Sequence, residues 1–236
     1  MVILLTGSSR GIGAALASSF TQSGHQVLLV SRNKSALKRV SDQCNEKAGE
    51  KLAHPIPFDL GDLSDLENEF VSHLKEHTDT IDALFNNAGQ LINKPFHQVP
   101  VKEARNLFEV NFFVPAQLIR ICLPFMAKSS LKHIVNVCSM AGYQGSKKFN
   151  GLSYYSASKA ALGSLTECLS EEYRKDGIAV NALSIGSVQT EMLEEAFPGL
   201  KAPLEPAQMA EFMKWFTLEG STYFNGKNLP VSLATP

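Results

Sequence analysis

The chain has 236 residues, of which 44% are hydrophobic and 19% are charged. This composition suits one α/β domain with a sizeable core and excludes disorder of the whole chain. With 22 basic and 23 acidic side chains the net charge is −1, so the basic surface expected of a dedicated nucleic-acid binder is missing. The 4 cysteines lie far apart, without a C-x-x-C pair, which argues against a disulfide framework and against a zinc site.

The sequence shows no signal-peptide pattern and no apolar stretch that approaches the length needed to cross a bilayer. Scattered cysteines suit a reducing compartment. We therefore expect a soluble, cytoplasmic protein that is not inserted in a membrane.

Short apolar runs alternate with amphipathic stretches along most of the chain. Because the runs are continuously apolar, they predict buried strands of a parallel sheet, while Ile12, Leu16 and Phe20 recur at helical spacing between them. The alternation predicts an α/β fold, a doubly wound parallel sheet with helices on both faces, as a single domain over residues 1–236. The predicted strands are residues 2–5, 27–30, 83–85, 133–137 and 178–183, with a last strand within residues 223–231.

A glycine-rich turn follows the first predicted strand and opens the first helix. Gly7, Gly11 and Gly13 allow a tight turn, and the helix N-terminus offers unpaired N–H groups to a pyrophosphate. Their spacing, G-x-x-x-G-x-G, departs from the G-x-G-x-x-G fingerprint, and a tight turn without a ligand is the alternative. The position of the turn in a βαβ unit favours a dinucleotide site.

The second predicted strand ends in Ser31-Arg32-Asn33, roughly 20 residues after the glycines, where an NAD-specific site usually carries Asp or Glu. Arg32 can pair with a 2′-phosphate that a carboxylate would repel, and Arg10 can approach from the glycine turn. A solvated arginine at a strand end is the alternative. The absence of the acid leads us to predict NADP(H) rather than NAD(H).

Tyr155 and Lys159 stand four residues apart, so on a helix they share one face. We expect the ammonium to lower the pKa of the phenol and to bring Tyr155 nearer to the range useful for general acid–base catalysis. Ser139, just past the strand at 133–137, is placed to hydrogen-bond the same substrate oxygen as charge develops on it. Taken singly, Ser139 is better explained as a turn residue, and Tyr155 and Lys159 as an exposed helical pair. The three residues together, in this order, favour a catalytic site.

Asn111 lies four residues before Pro115 in a predicted helix over residues 102–126. Proline has no N–H, so the Asn111 carbonyl loses its helical partner, and we expect a kink. A buried carbonyl left open in this way attracts a water. A packing kink with a surface asparagine is the alternative.

Together these motifs resemble the short-chain dehydrogenase/reductase family. The ordered set is T-G-S-S-R-G-I-G, Asn86-Asn87-Ala88-Gly89, Ser139 and Tyr155-Ser156-Ala157-Ser158-Lys159, and the match extends to about Thr190. The resemblance implies a Rossmann-like fold and an NADP(H)-dependent oxidoreductase that reduces a ketone or aldehyde to an alcohol, or runs in reverse, by hydride transfer. It implies a catalytic set of Asn111, Ser139, Tyr155 and Lys159, in which Asn111 takes part in a water-mediated proton relay with Lys159.

The resemblance also implies cofactor contacts along the chain. For Asp59, which matches the acid near the adenine ring, a capping or turn role is the alternative. The expected cofactor-binding residues are Gly7, Ser9, Arg10, Gly11, Ile12, Gly13, Ser31, Arg32, Asp59, Leu60, Asn87, Ala88, Gly89, Tyr155, Lys159, Val188 and Thr190.

Two features depart from the family pattern or leave its implications open. Ile185-Gly186 stands where Pro-Gly is usual, and residues 191–206 lie where relatives place a mobile lid. The expected partner is a small carbonyl or alcohol substrate of undetermined identity, with no metal, and the expected assembly is a homodimer or homotetramer formed through the helices of Asn111 and Tyr155. A non-catalytic NADP-binding regulatory or interaction protein on the same fold is the alternative function.

Overall fold

Seven parallel strands form one sheet in the computed structural model, which describes residues 1–61 and 66–233. The strands are β1 Val2–Thr6, β2 Gln26–Ser31, β3 Ala53–Pro57, β4 Ala83–Asn86, β5 His133–Ser139, β6 Ala179–Ile185 and β7 Asn228–Val231. Their order across the sheet is β3-β2-β1-β4-β5-β6-β7. From β1 the chain adds β2 and β3 on one side of the sheet, and then β4 to β7 on the other side. The strand order therefore reverses between β1 and β4, the kind of switch point at which doubly wound sheets bind ligands.

Helices cover both faces of this sheet. Successive strand residues point to opposite sides, and here the residues on both sides are apolar and buried. Ile3 and Leu5 pack into a core with helices α1, α2 and α8, whereas Leu4 packs into the core of α3 and α5 on the other face. This arrangement confirms the predicted doubly wound fold. The helices are α1 Gly11–Gln22, α2 Lys34–Ala48, α3 Leu66–Lys75, α4 Val101–Phe108, α5 Val114–Met126, α6 Ser153–Glu172, α7 Glu191–Ala196 and α8 Pro206–Glu219.

Strand β3 was not predicted from the sequence. It reads Ala-His-Pro-Ile-Pro, and proline cannot donate to a sheet ladder, which argues against a central strand. In the structure β3 lies at the edge of the sheet and pairs only with β2, a position that tolerates the missing donors. The last strand lies within the predicted range 223–231 and occupies its end, Asn228–Val231.

The predicted helix over residues 102–126 is not one kinked α-helix. A π-helical segment, Glu109–Phe113, separates α4 from α5, and the Val114 N–H donates to the Glu109 carbonyl. Asn111 lies in this π-helical segment and is 0% exposed. A π-bulge, itself a common cause of helix kinks, lies where the kink was expected, and the alternative of a surface asparagine is wrong.

The continuous helical run Val101–Met126 is long and apolar enough, by length and composition, to cross a membrane. The expectation that no stretch approaches this length is therefore wrong. Leu118 and Cys122 of this run are buried in the same core cluster as Leu84 of β4, and a core helix passes the same test of length and composition.

Candidate active site

The glycine turn joins the carboxyl end of β1 to α1 in a conformation that needs glycine. Gly7 and Gly11 have φ values of 66° and 55°, in the left-handed region. A Cβ on Gly13 would lie 2.2 Å from the Gly7 carbonyl oxygen. Side chains at these positions would distort the turn, so the close approach of this backbone to a ligand depends on glycine.

The ends of β1 and β4 are fastened together beside this turn. The Thr6 hydroxyl accepts hydrogen bonds from the backbone N–H groups of Asn87 and Ala88, each at 3.0 Å. The Asn87 side chain donates in return to the carbonyls of Thr6 at 3.0 Å and Gly7 at 3.2 Å. The Asn-Asn-Ala-Gly motif thus fixes the geometry of the switch point.

A cavity of about 640 Å³ opens along the carboxyl edge of the sheet. It brings together 16 of the residues predicted to bind a cofactor, whereas Asn111, Ser139 and Val188 are not among its lining residues. Val188 is instead buried and forms a β-bridge with Leu204. The predicted residues that line the cavity are Gly7, Ser9, Arg10, Gly11, Ile12, Gly13, Ser31, Arg32, Asp59, Leu60, Asn87, Ala88, Gly89, Tyr155, Lys159 and Thr190.

At one end of the cavity the glycine turn meets the end of β2. The Ser31 hydroxyl donates to the Ser9 hydroxyl at 2.9 Å and holds the two segments together. Arg32 is exposed and lines the cavity, and within residues 1–61 and 66–233 it makes no ion pair. Asp59 lines the same end, and its carboxylate also accepts from the Gly61 N–H at 2.9 Å, so it makes the turn contact that was the alternative to cofactor binding.

Tyr155 lies in the first turn of α6, at the other end of the cavity. The protein packed around its hydroxyl raises the pKa of Tyr155, while the Ser139 hydroxyl beside it lowers that pKa, though less. The predicted lowering of this pKa by Lys159 is therefore wrong. Burial dominates the shift, and Tyr155 is a protonated phenol at neutral pH.

Lys159 lies one helical turn further along α6 and is only 4% exposed. Its ammonium donates to the Val137 carbonyl at 2.7 Å, and burial lowers the pKa of Lys159. A Cβ on Gly89 would lie 3.4 Å from the Lys159 Nζ. Gly89 and the Lys159 ammonium therefore lie side by side, and both residues line the cavity.

Asn111 connects the loop after β4 to α6. Its side-chain oxygen accepts from the Gln90 N–H at 2.8 Å, and its amide donates to the Gln90 carbonyl at 2.9 Å and to the Ser158 hydroxyl at 3.0 Å. Ser158 in turn donates to the Tyr155 carbonyl at 2.8 Å. The side chain of Asn111 is thus fully engaged, and a part for its backbone carbonyl in a water relay stays a prediction.

Comparison with known proteins identifies the family of this chain. Residues 1–201 match a family model described as short chain dehydrogenase. This chain belongs to the short-chain dehydrogenase/reductase family. An uncharacterized oxidoreductase of Staphylococcus saprophyticus is 32% identical over 212 residues, which cover 89% of this chain and 88% of the relative. One of Staphylococcus epidermidis is 30% identical over 210 residues, covering 89% and 87%.

Solved structures show the same fold. A short chain dehydrogenase of Shigella flexneri, complexed with NADP, superposes with a TM-score of 0.89 at 26% identity and covers 97% of this chain and 95% of its own. One of Escherichia coli, complexed with NADPH, has a TM-score of 0.88 at 26% identity, again covering 97% and 95%. The fold, a seven-stranded parallel sheet with helices on both faces, is thus that of a short-chain dehydrogenase.

The cavity of this short-chain dehydrogenase is also lined by residues that the sequence did not single out. The Asn106 amide of α4 donates to the Gln90 side chain at 2.8 Å, and Lys94 forms an ion pair with Glu103 of α4 at 2.7 Å. All four side chains line the cavity. They follow no motif, although the i, i+3 spacing of Glu103 and Asn106 places both on one face of α4.

Helix α7 lies within the segment expected to form a lid and lines the cavity with Glu191, Met192, Glu195 and Ala196. The Asn93 side chain donates to the Ala196 carbonyl at 2.9 Å and ties α7 to the loop after β4. Ile185, which replaces the usual proline, ends β6 and also lines the cavity.

Proposed function

We propose that this short-chain dehydrogenase is an NADP(H)-dependent oxidoreductase that reduces a ketone or aldehyde to an alcohol, or catalyses the reverse reaction. The observation that carries the proposal is the single cavity that joins the glycine turn and Arg32 at one end to Tyr155 and Lys159 at the other. A hydride acceptor or donor bound along the turn would place its reactive end beside the tyrosine.

The residues present fit a 2′-phosphorylated dinucleotide. The glycine turn is so tight that a Cβ on Gly13 would collide with the Gly7 carbonyl oxygen, and Arg10, the N-cap residue of α1, provides no side-chain cap to that helix. Uncapped N–H groups at a helix N-terminus bind phosphate. Arg32 stands where an NAD-specific site has an acid, and the two relatives solved with NADP and NADPH agree with this choice.

Each proposed catalytic residue has a role that follows from its surroundings. When bound, the nicotinamide supplies the hydride. Tyr155 holds its proton because desolvation raises its pKa, and it donates that proton to the substrate oxygen as negative charge develops there. Ser139, whose hydroxyl lies against the Tyr155 phenol, stabilises the charge on the same oxygen.

Lys159 and Asn111 act behind the tyrosine. The Lys159 ammonium, held by the Val137 carbonyl at 2.7 Å, has further N–H donors for the cofactor ribose and for the relay water that returns a proton to Tyr155. Asn111 keeps the loop after β4 in contact with α6, so that Gly89 stays against Lys159.

The test is a substrate screen with purified protein. NADPH and NADH are each offered with a broad panel of ketones and aldehydes, and NADP⁺ with the matching alcohols. We expect carbonyl-dependent oxidation of NADPH that is faster than that of NADH at equal concentration. Tight NADPH binding without turnover on any substrate would contradict the proposal and favour the non-catalytic NADP-binding alternative.

A further inference from the structure

An ion pair connects the glycine turn to α7, the helix in the segment that was expected to form a lid. Nη1 of Arg10 lies 2.6 Å from Oε1 of Glu195, and Nη2 lies 3.4 Å from Oε2, so the guanidinium meets the carboxylate at two points. The two residues are 185 positions apart in the chain. Arg10 is one of the two arginines predicted to bind a 2′-phosphate, yet in this structure it already has an anionic partner.

Local structure holds the Glu195 carboxylate in this position. Helix α7 is capped at its start by the Thr190 hydroxyl, which accepts from the Leu193 N–H at 3.3 Å. At its end the Ala196 carbonyl accepts from Asn93 at 2.9 Å. Glu195 lies between these two anchors and faces the cavity. Its pKa is lowered, chiefly by the hydrogen bond from Arg10, so the carboxylate is charged at neutral pH.

The two arginines at the 2′-phosphate end differ in availability. Arg32 has no ion pair within the described ranges, whereas both terminal nitrogens of Arg10 contact Glu195. A 2′-phosphate that approaches Arg10 must displace the carboxylate or share the guanidinium with it, and either event opposes binding. NADH has a hydroxyl at the same position and does not compete for Arg10.

A second acidic residue makes a useful contrast. The Glu191 carboxylate would lie 3.5 Å from a Cβ on Gly11, beside the turn that would cradle the pyrophosphate. Both NADPH and NADH carry the pyrophosphate, so repulsion between it and Glu191 affects their affinities alike. Glu191 also acts on Arg10 by charge, but Glu195 has the larger effect, because it hydrogen-bonds both terminal nitrogens of Arg10.

We propose that Glu195 is a specificity-determining residue, which weakens the binding of 2′-phosphorylated cofactor by competing for Arg10. The inference rests on the proposed function, since it takes NADP(H) as the cofactor. The pair is half exposed, at 49% for the Arg10 side chain and 63% for Glu195, so the effect is modest. Exposed ion pairs change an equilibrium by roughly two- to fivefold.

The test measures the dissociation constants of NADPH and NADH by calorimetry for the wild type and for Glu195→Gln. We expect the variant to bind NADPH about two- to fivefold more tightly, with NADH unchanged and with the gain reduced at high salt. The matched control is Glu194→Gln, which removes the same charge from the same helix. Glu194 accepts from the Gly199 N–H at 2.9 Å and does not contact Arg10, so NADPH affinity should stay at the wild-type value.

A second comparison separates competition from a general change in lid structure. In an Arg10→Ala background, Glu195→Gln should have no effect on NADPH affinity, because the shared partner is gone. Equal tightening for NADPH and NADH, or by Glu194→Gln, would overturn the proposal, as would an unchanged affinity in Glu195→Gln. If the wild type binds NADPH but Glu195→Gln does not alter the constant, only this inference fails. If the wild type does not bind NADPH, the proposed function fails with it.

Discussion

Asn111 binds both backbone polar groups of Gln90. Its Oδ1 accepts from the Gln90 N–H at 2.8 Å and its Nδ2 donates to the Gln90 carbonyl at 2.9 Å. Gln90 directly follows Gly89, which lies against Lys159. We therefore propose that the asparagine acts as a positioning residue, through the loop after β4, in addition to the proposed relay at its carbonyl.

We expect Asn111→Ala to lower the free energy of unfolding by about 2–4 kcal/mol, because the Gln90 backbone groups and the Ser158 hydroxyl lose a buried partner. Urea unfolding measures this loss. The control is Asn106→Ala, which removes an exposed contact to the Gln90 side chain and should cost less than about 1 kcal/mol. Equal losses in the two variants would show that the buried contacts of Asn111 carry no special weight.

Arg32→Ala tests the basis of cofactor choice. The exposed guanidinium lines the cavity at the end of β2. Removing a charge-assisted contact to phosphate should weaken NADPH binding roughly ten- to a hundredfold and leave NADH binding nearly unchanged. Arg39→Ala, which removes an exposed arginine of α2 outside the cavity, is the matched control. Equal losses for both cofactors in Arg32→Ala would make Arg32 a structural residue.

His133 is a buried histidine whose two ring nitrogens both have hydrogen-bond partners, one as a donor and one as an acceptor. Its Nδ1 lies 2.9 Å from the Thr217 carbonyl and so carries the hydrogen, while its Nε2 lies 3.0 Å from the Asn181 amide nitrogen. The orientation of that amide is fixed, because the Asn181 oxygen accepts from the Lys227 N–H at 3.1 Å. Burial lowers the pKa of His133 from 6.5 to about 4.

This lowered pKa makes stability depend on pH in a defined window. Between pH 6.5 and 4 the unfolded chain binds a proton at residue 133 that the folded chain does not, so stability falls as the pH falls. The loss from this residue is about 3 kcal/mol. His133→Gln cannot titrate and should lose less stability over the same window by about that amount, whereas His97→Gln, at an exposed position, should follow the wild type. Parallel curves for the wild type and His133→Gln would contradict this assignment.

The central strands and the motifs at their ends could be predicted because their signals are local. Apolar runs give the buried strands, and the positions of Gly7, Arg32 and Tyr155 follow from strand ends and helical spacing. Strand β3 could not, since Pro55 and Pro57 hide an edge strand that only the assembled sheet reveals. The π-helical segment also escaped prediction, because Pro115 signals a disturbed helix without showing which kind.

The part of the site that could not be predicted from the sequence depends on contacts between residues far apart in the chain. No local pattern joins Arg10 to Glu195 or shows that α4 turns Asn106 toward Gln90. The pKa of Tyr155 illustrates a different limit. Tyr155 and Lys159 do lie one turn apart on α6, but the direction of the pKa shift depends on how much protein surrounds the phenol, and burial raises the pKa of Tyr155.

The most direct test of the account is the turnover of Tyr155→Phe at saturating NADPH. The variant keeps the ring but lacks the proposed proton donor, so NADPH affinity should stay near the wild-type value while kcat falls by about 10²–10⁴-fold. Tyr154→Phe is the matched control, because this neighbouring ring stacks on Phe96 and does not line the cavity, and it should retain wild-type turnover. General acid catalysis requires a loss of at least about 10²-fold. If Tyr155→Phe keeps more than about a tenth of the wild-type kcat, the loss is too small, and the proton comes from another group.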